Sequence, residues 1–228
     1  MAETIDGADA GHSDGGGITL FVNASQVVTC AGPARGRRGG EMRDAGVLTG
    51  AAVAIEIDRI VAVGPQAQLE RAYSNAARID CRGCIITPGL VDSHTHAIFG
   101  RARYEEQEMR AAGIGYMEIA KGGGGIHASV RDVRARSEDE LLALAAPRLA
   151  RLASYGTTTL EVKSGYGLSV EDELKLLRVI ARLAVDSPLR LIATWLGAHE
   201  IPPEFRSTAG ARASYVNTIC GEMLDAVA

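Results

Sequence analysis

The chain has 228 residues, of which 46% are hydrophobic and 23% charged, and a formal net charge of −4. That is ample length to bury a core, and the composition is that of an ordinary soluble globular protein. Mild acidity gives no electrostatic case for a nucleic-acid partner, and 4% aromatic residues give none for a base-stacking surface. No apolar run approaches the roughly 20 residues that a membrane helix needs.

Residues 1–17, closing on Gly15, Gly16 and Gly17, are small and polar and lack a basic start or an apolar segment. They are expected to form a disordered leader, with His12 a solvated tail residue. Residues 18–86 are expected to be an all-β module, a small β-sandwich, with strands at 18–22 and 26–29. A Gly/Arg-rich loop from Gly32 to Gly46 reads as a mobile insertion, with Arg35, Arg37 and Arg38 a solvated basic run. Strands at 51–57 and 59–64 form a hairpin across a tight turn near Asp58. The four cysteines (Cys30, Cys81, Cys84, Cys220) are too few and too scattered for a disulfide framework. Cys81 and Cys84 match C-x-x-C, but no second pair follows at zinc-ribbon spacing, so both are expected to be ordinary reduced thiols. Such usage fits a cytoplasmic location.

From Pro88 the rhythm becomes strand, long helix, strand, long helix, with strands at 89–96, 157–163 and 189–196. Helices are expected at about 104–121 and 138–155. Ser137 and Glu140 form an S-x-x-E capping box for the second, Gly156 stops it, and Pro147 should kink or divide it. Ser169 caps the next helix, in which Leu174, Leu177, Ile180 and Ala184 read as the apolar stripe. A last amphipathic stretch spans about 210–227. Alternating strands and helices imply a parallel sheet with crossover helices.

The first of these strands ends in Asp92-Ser93-His94-Thr95-His96. Strand residues two apart point to one side, so both imidazoles would converge, as the start of a zinc or iron site. A pair of surface histidines is the alternative. The apolar, β-branched lead-in from Cys84 to Val91 favours the metal pair, because it places the histidines where a core strand ends.

A β-module followed by strand–helix repeats, with His-x-His closing the first repeat strand, resembles the amidohydrolase superfamily. Three further segments narrow the resemblance: Gly122-Gly123-Gly124-Gly125-Ile126-His127, Glu161 to Leu168 with Ser164-Gly165-Tyr166-Gly167, and Leu196-Gly197-Ala198-His199-Glu200. Together with the His94 segment they are similar to the imidazolonepropionase family over about residues 45–228.

The resemblance implies an α/β fold: a partial (β/α)8 TIM-type barrel, about its first three repeats over 87–228, preceded by the β-sandwich of 18–86. It implies His94 and His96 as ligands of one divalent metal, zinc or iron, and Arg103, Tyr166 and His199 as substrate-binding residues. The implied reaction is hydrolysis of the cyclic amide of 4-imidazolone-5-propanoate to N-formimidoyl-L-glutamate in histidine catabolism. The implied partners are that small molecule and a second copy in a homodimer, with neither nucleic acid nor membrane. In the family a third histidine, an aspartate and the acidic base come from later barrel strands. The chain is therefore expected to be the N-terminal portion of a longer enzyme and inactive alone, and no catalytic acid or base is assigned within it. The alternatives are a hydrolase or deaminase of another cyclic amide or aminopyrimidine, and a truncated, non-catalytic module.

The residue types suit this chemistry. An arginine fork binds a propanoate bidentately, and a phenol and an imidazole can hydrogen-bond the ring. Arg103 could instead be an exposed helix-start arginine, Tyr166 could pack over a turn, and His199 could cap a strand end. His127 follows a loop that is either a lid or plain solvent-exposed chain. Glu161 and Lys163 share a strand face and are expected to form an ion pair rather than a carbamylated-lysine metal bridge.

Overall fold

A computed structural model describes residues 17–228, and all statements below concern these. The leader expected over 1–17, with His12, lies outside the described residues except for Gly17. The chain divides into two compact units after Pro88.

The first unit is built on two sheets. One has the order β5-β4-β1-β6, from β1 (Ile18–Val22), β4 (Ala51–Glu56), β5 (Arg59–Pro65) and β6 (Ala77–Asp80). The other has the order β3-β2-β7, from β2 (Gln26–Val28), β3 (Val47–Leu48) and β7 (Ile85–Ile86). Ala24, Val27, Ala51 and Val53 form one small core, with Leu48 and Ile86 against it. Leu20, Val22, Ala52 and Ala54 form the other, covered by Leu69 of the helix α1 (Gln66–Ala72). That helix corrects the all-β expectation for 18–86: Gln-Ala-Gln-Leu-Glu-Arg-Ala carries strong helix formers and no β-branched residue. The basic loop is also less free than expected. Arg35 pairs with Glu41 at 2.8 Å, and Arg37 donates to the Cys30 and Ala31 carbonyls at 2.6 Å each. The four cysteines are free thiols.

The second unit carries a parallel sheet of order β10-β9-β8, formed by β8 (Leu90–Thr95), β9 (Thr157–Lys163) and β10 (Arg190–Thr194). The sheet is open among the described residues. Leu160 and Val162 alternate on one face of β9 and pack against Leu141, Ala145 and Leu149 of α5 (Glu138–Ser154) and Leu176, Val179 and Ile180 of α6 (Val170–Asp186). Thr159, Glu161 and Lys163 occupy the other face of β9.

Several helical expectations need correction. The stretch expected over 104–121 is two helices, α2 (Tyr104–Ala111) and α3 (Tyr116–Lys121), because Gly113 turns the chain at φ +89°. A further helix, α4 (Ile126–Ala135), follows the glycine run and was hidden by it. Pro147 does not divide α5, whose Ser137–Glu140 capping box is present as expected. The buried stripe of α6 is Glu173, Leu176, Val179, Ile180 and Leu183. It is turned by one position from the expected Leu174, Leu177, Ile180 and Ala184. The chain closes with α7 (Ala209–Thr218), a π turn at Ile219–Met223 and a final helical turn. No helix is long and apolar enough to cross a membrane among the described residues.

Candidate functional site

The site lies at the carboxyl ends of the three parallel strands. His94 is in the last turn of β8 and His96 just past it, where the pairing of β8 with β9 becomes irregular between Asp92 and Thr95. Such irregularities re-aim side chains at sheet ends. The segment beyond is held by Arg148 of α5, which donates to the Phe99 carbonyl at 2.6 Å and the Gly100 carbonyl at 2.7 Å and lies over the Phe99 ring. After β9 comes the turn Ser164–Leu168, and after β10 the segment that carries His199.

Four of the five residues singled out above meet as rings. His96 stacks on His199 with centroids 4.6 Å apart and on Tyr166 at 4.8 Å. His94 stands edge-on to His96 at 5.9 Å. The fifth, Arg103, is at the start of α2 and lines a cavity of about 350 Å3 together with His96, Phe99, Tyr116 and Tyr166. That volume suits a small ligand. Arg103 pairs with Glu106 at 2.9 Å, and Glu106 in turn accepts from the Gly125 N–H at 2.8 Å. Glu106 and Tyr116 were not singled out from the sequence. Neither stands in a recognisable spacing, and only the packing of α2 and α3 brings them to the cavity.

Hydrogen bonds fix which ring nitrogen of two histidines carries a proton. His96 Nδ1 lies 3.0 Å from the Ser164 carbonyl, and His199 Nδ1 lies 3.0 Å from the Gly165 carbonyl. A carbonyl only accepts, so Nδ1 of each ring carries a proton, and Nε2 is the nitrogen that can offer a lone pair. Burial pulls the His96 imidazole down to about 4, and His199 alongside adds to the effect. A neutral imidazole with its other nitrogen bonded to a carbonyl is the form in which histidine ligates metals. On this chemistry His96 fits a divalent ion, and His94, with its ring centroid 5.9 Å away, is placed to be a second of the three protein ligands that a catalytic zinc usually takes. No group of three His, Cys, Asp or Glu at metal-binding spacing occurs among the described residues.

Burial pushes the Tyr166 phenol up, and Arg103 partly offsets this. Lys163 donates to Glu161, as expected for an ion pair. Burial alone would raise the Glu161 carboxyl, but hydrogen bonds from Lys163 and Thr194 outweigh it and lower the pKa. His127 does not line the cavity. It sits in the first turn of α4, with both ring nitrogens buried and without a partner among the described residues. Burial lowers its pKa.

Gly165 is required twice over. Its φ is +91°, and a Cβ there would lie 2.9 Å from His199 Nδ1 and 3.0 Å from the Leu196 carbonyl. Gly165→Ala is expected to destabilise the fold by about 1–3 kcal/mol, the cost of a strained backbone conformation and a close contact. Urea unfolding measures this, and a change below about 0.5 kcal/mol, the range of an ordinary surface substitution, would contradict it.

No family model matches the chain. Among solved structures, the guanine deaminase of Bradyrhizobium japonicum matches with a TM-score of 0.53 at 16% identity, over 90% of this chain and 41% of that one. The likeness is one of fold, that of a mixed α/β protein. Two named relatives are much nearer in sequence. The chain is 49% identical over 212 residues to the imidazolonepropionase of Symbiobacterium thermophilum, covering 92% of this chain and 49% of the relative. It is 46% identical over 205 residues to that of Chloroflexus aggregans, covering 90% and 47%. The chain belongs to the imidazolonepropionase family. It spans about half the length of the curated relatives it matches.

Proposed function

We propose that the protein hydrolyses the ring C–N bond of 4-imidazolone-5-propanoate to give N-formimidoyl-L-glutamate in histidine breakdown, as a homodimeric cytoplasmic enzyme. This chain would supply its substrate-binding side and two metal ligands. The observation that carries the proposal is the gathering of His94, His96, Tyr166 and His199 at the ends of three parallel strands, beside a small-molecule cavity lined by Arg103. In this reading β8 to β10 with α5 and α6 are the first part of an eightfold barrel, which carries its chemistry at the carboxyl ends of its strands.

Each residue takes a role from its own chemistry. The Arg103 guanidinium has donors beyond those facing Glu106 and binds the propanoate. The Tyr166 hydroxyl and His199 Nε2 hydrogen-bond the ring and fix its orientation, and the stacked rings keep water from one side of it. His94 and His96, each through a neutral ring nitrogen, would hold one divalent ion, zinc or iron. The chemistry such an ion supplies when bound is activation of water at neutral pH. Hydrolysis places the water oxygen on the ring carbonyl carbon and a proton on the departing ring nitrogen. No acid–base pair for that transfer is assigned within these residues.

The test is an assay of the full-length protein, supplied with zinc or ferrous iron, for loss of imidazolone absorbance. Turnover is expected, with Tyr166→Phe lowering kcat/KM about 5- to 10-fold, the worth of one hydrogen bond. Absence of turnover with metal supplied, or turnover of a different cyclic amide only, overturns the proposal.

A further inference from the structure

Glu173 is the only charged side chain that is buried among the described residues, with 0% of its surface exposed. The proposed chemistry makes no use of it. A carboxylate leaves water at large cost unless its lone pairs are satisfied. Here the partners are three backbone N–H groups of the turn after β9. Gly165 donates to Glu173 at 2.9 and 3.1 Å, Gly167 at 2.8 Å and Leu168 at 2.8 Å. Capping of α6 does not need this carboxylate, since the Ser169 hydroxyl already accepts from the Asp172 N–H at 3.2 Å. Gly167 leaves no room for a side chain, as a Cβ there would lie 2.5 Å from the Glu173 backbone nitrogen.

The carbonyl side of the same turn is held by Arg134 of α4. Its Nε donates to the Gly167 carbonyl at 2.7 Å and its Nη2 to the Leu168 carbonyl at 3.0 Å. Two more of its carbonyls, of Ser164 and Gly165, accept from His96 and His199. Three N–H groups of this five-residue turn thus lie on one buried carboxylate, and four of its carbonyls are divided between a guanidinium and the two site histidines. Tyr166 stands in the middle.

We infer that Glu173 and Arg134 are positioning residues: they clamp the Ser164–Leu168 turn, and through it they set the Nδ1–H tautomer of the site histidines and the seat of Tyr166. Glutamine at 173 places an NH2 group where the Gly165 N–H now points, donor against donor. The turn then shifts, and the Gly165 carbonyl moves from His199. The catalytic consequence rests on the function proposed above, whereas the tautomer does not.

The experiment follows His199, which is not assigned to metal, by two-bond 1H–15N correlation in the full-length zinc-loaded protein with 15N-labelled histidine. The wild type is expected to show the Nδ1–H pattern. Glu173→Gln is expected to lose it and to lower kcat/KM by about 10- to 100-fold, as when a group that orients a ligand or substrate residue is removed. A folded variant, checked by circular dichroism, that keeps either the wild-type His199 signal or wild-type kcat and KM overturns the inference. If Glu173→Gln does not fold, Arg134→Gln decides by the same criteria, since Arg134 is partly exposed. Should the wild type turn over no imidazolone, the proposed function fails, and the His199 signal alone judges the clamp.

Discussion

Replacing His96 with alanine in the full-length protein is expected to remove both bound metal and turnover, the latter by about 10³-fold or more, the scale on which loss of an essential catalytic group acts. The expectation rests on position and protonation together. His96 is the centre of the ring cluster, stacked on Tyr166 and His199. Its Nδ1 is committed to the Ser164 carbonyl, and burial keeps the ring neutral with a pKa of about 4. Only Nε2 is left to act, and it acts as a lone pair. His96→Asn restores a donor and an acceptor but not an imidazole lone pair, and it is expected to be equally inactive. A chelator should reproduce the loss in the wild type, and zinc or ferrous iron added back should reverse it. Metal content per chain and the rate of imidazolone loss measure both. A His96→Ala protein that keeps a full complement of metal and more than about a tenth of wild-type turnover would exclude His96 as a ligand.

Arg103→Ala is expected to raise KM for 4-imidazolone-5-propanoate about 10- to 100-fold while changing kcat by less than about threefold. A hydrogen bond to a charged group is worth about 1.5–3 kcal/mol, and each 1.4 kcal/mol is tenfold in binding. The split between the constants follows from place: Arg103 lines the cavity beside Tyr166, but the carboxylate it would hold takes no part in the bond cleavage. The ion pair with Glu106 tempers the effect, because it keeps Arg103 oriented and also competes for it. Arg103→Lys keeps the charge and loses the fork, so an intermediate KM is expected. An imidazolone without the propanoate supplies the control. It should bind the wild type poorly and lose almost nothing further in Arg103→Ala. If the two losses simply add, Arg103 does not contact the carboxylate.

The strands of the second unit and the helix caps at Ser137 and Ser169 were legible because each is a short-range pattern. Alternation at two residues and caps at three are written within one element. Helix breaks at Gly113, the helix after the glycine run and the phase of α6 were not. In α6 the stripe that faces the core begins with Glu173. A hydrophobic pattern would set a carboxylate on the wet face, so the expected stripe fell one position away. The helix is turned instead to deliver that carboxylate to three N–H groups.

By itself, then, the sequence determined the residue types of the site, the parallel strand–helix rhythm and the family. Tertiary structure alone decided how those residues act together. The carbonyl that sets the His96 tautomer is 68 positions away, and the one that sets His199 is 34 away. The two pairs meet only because β8, β9 and β10 lie in parallel register and bring their ends, and the turns that follow, to one place. No spacing within a single element encodes such a meeting, since it depends on which strands pair and how the helices pack behind them.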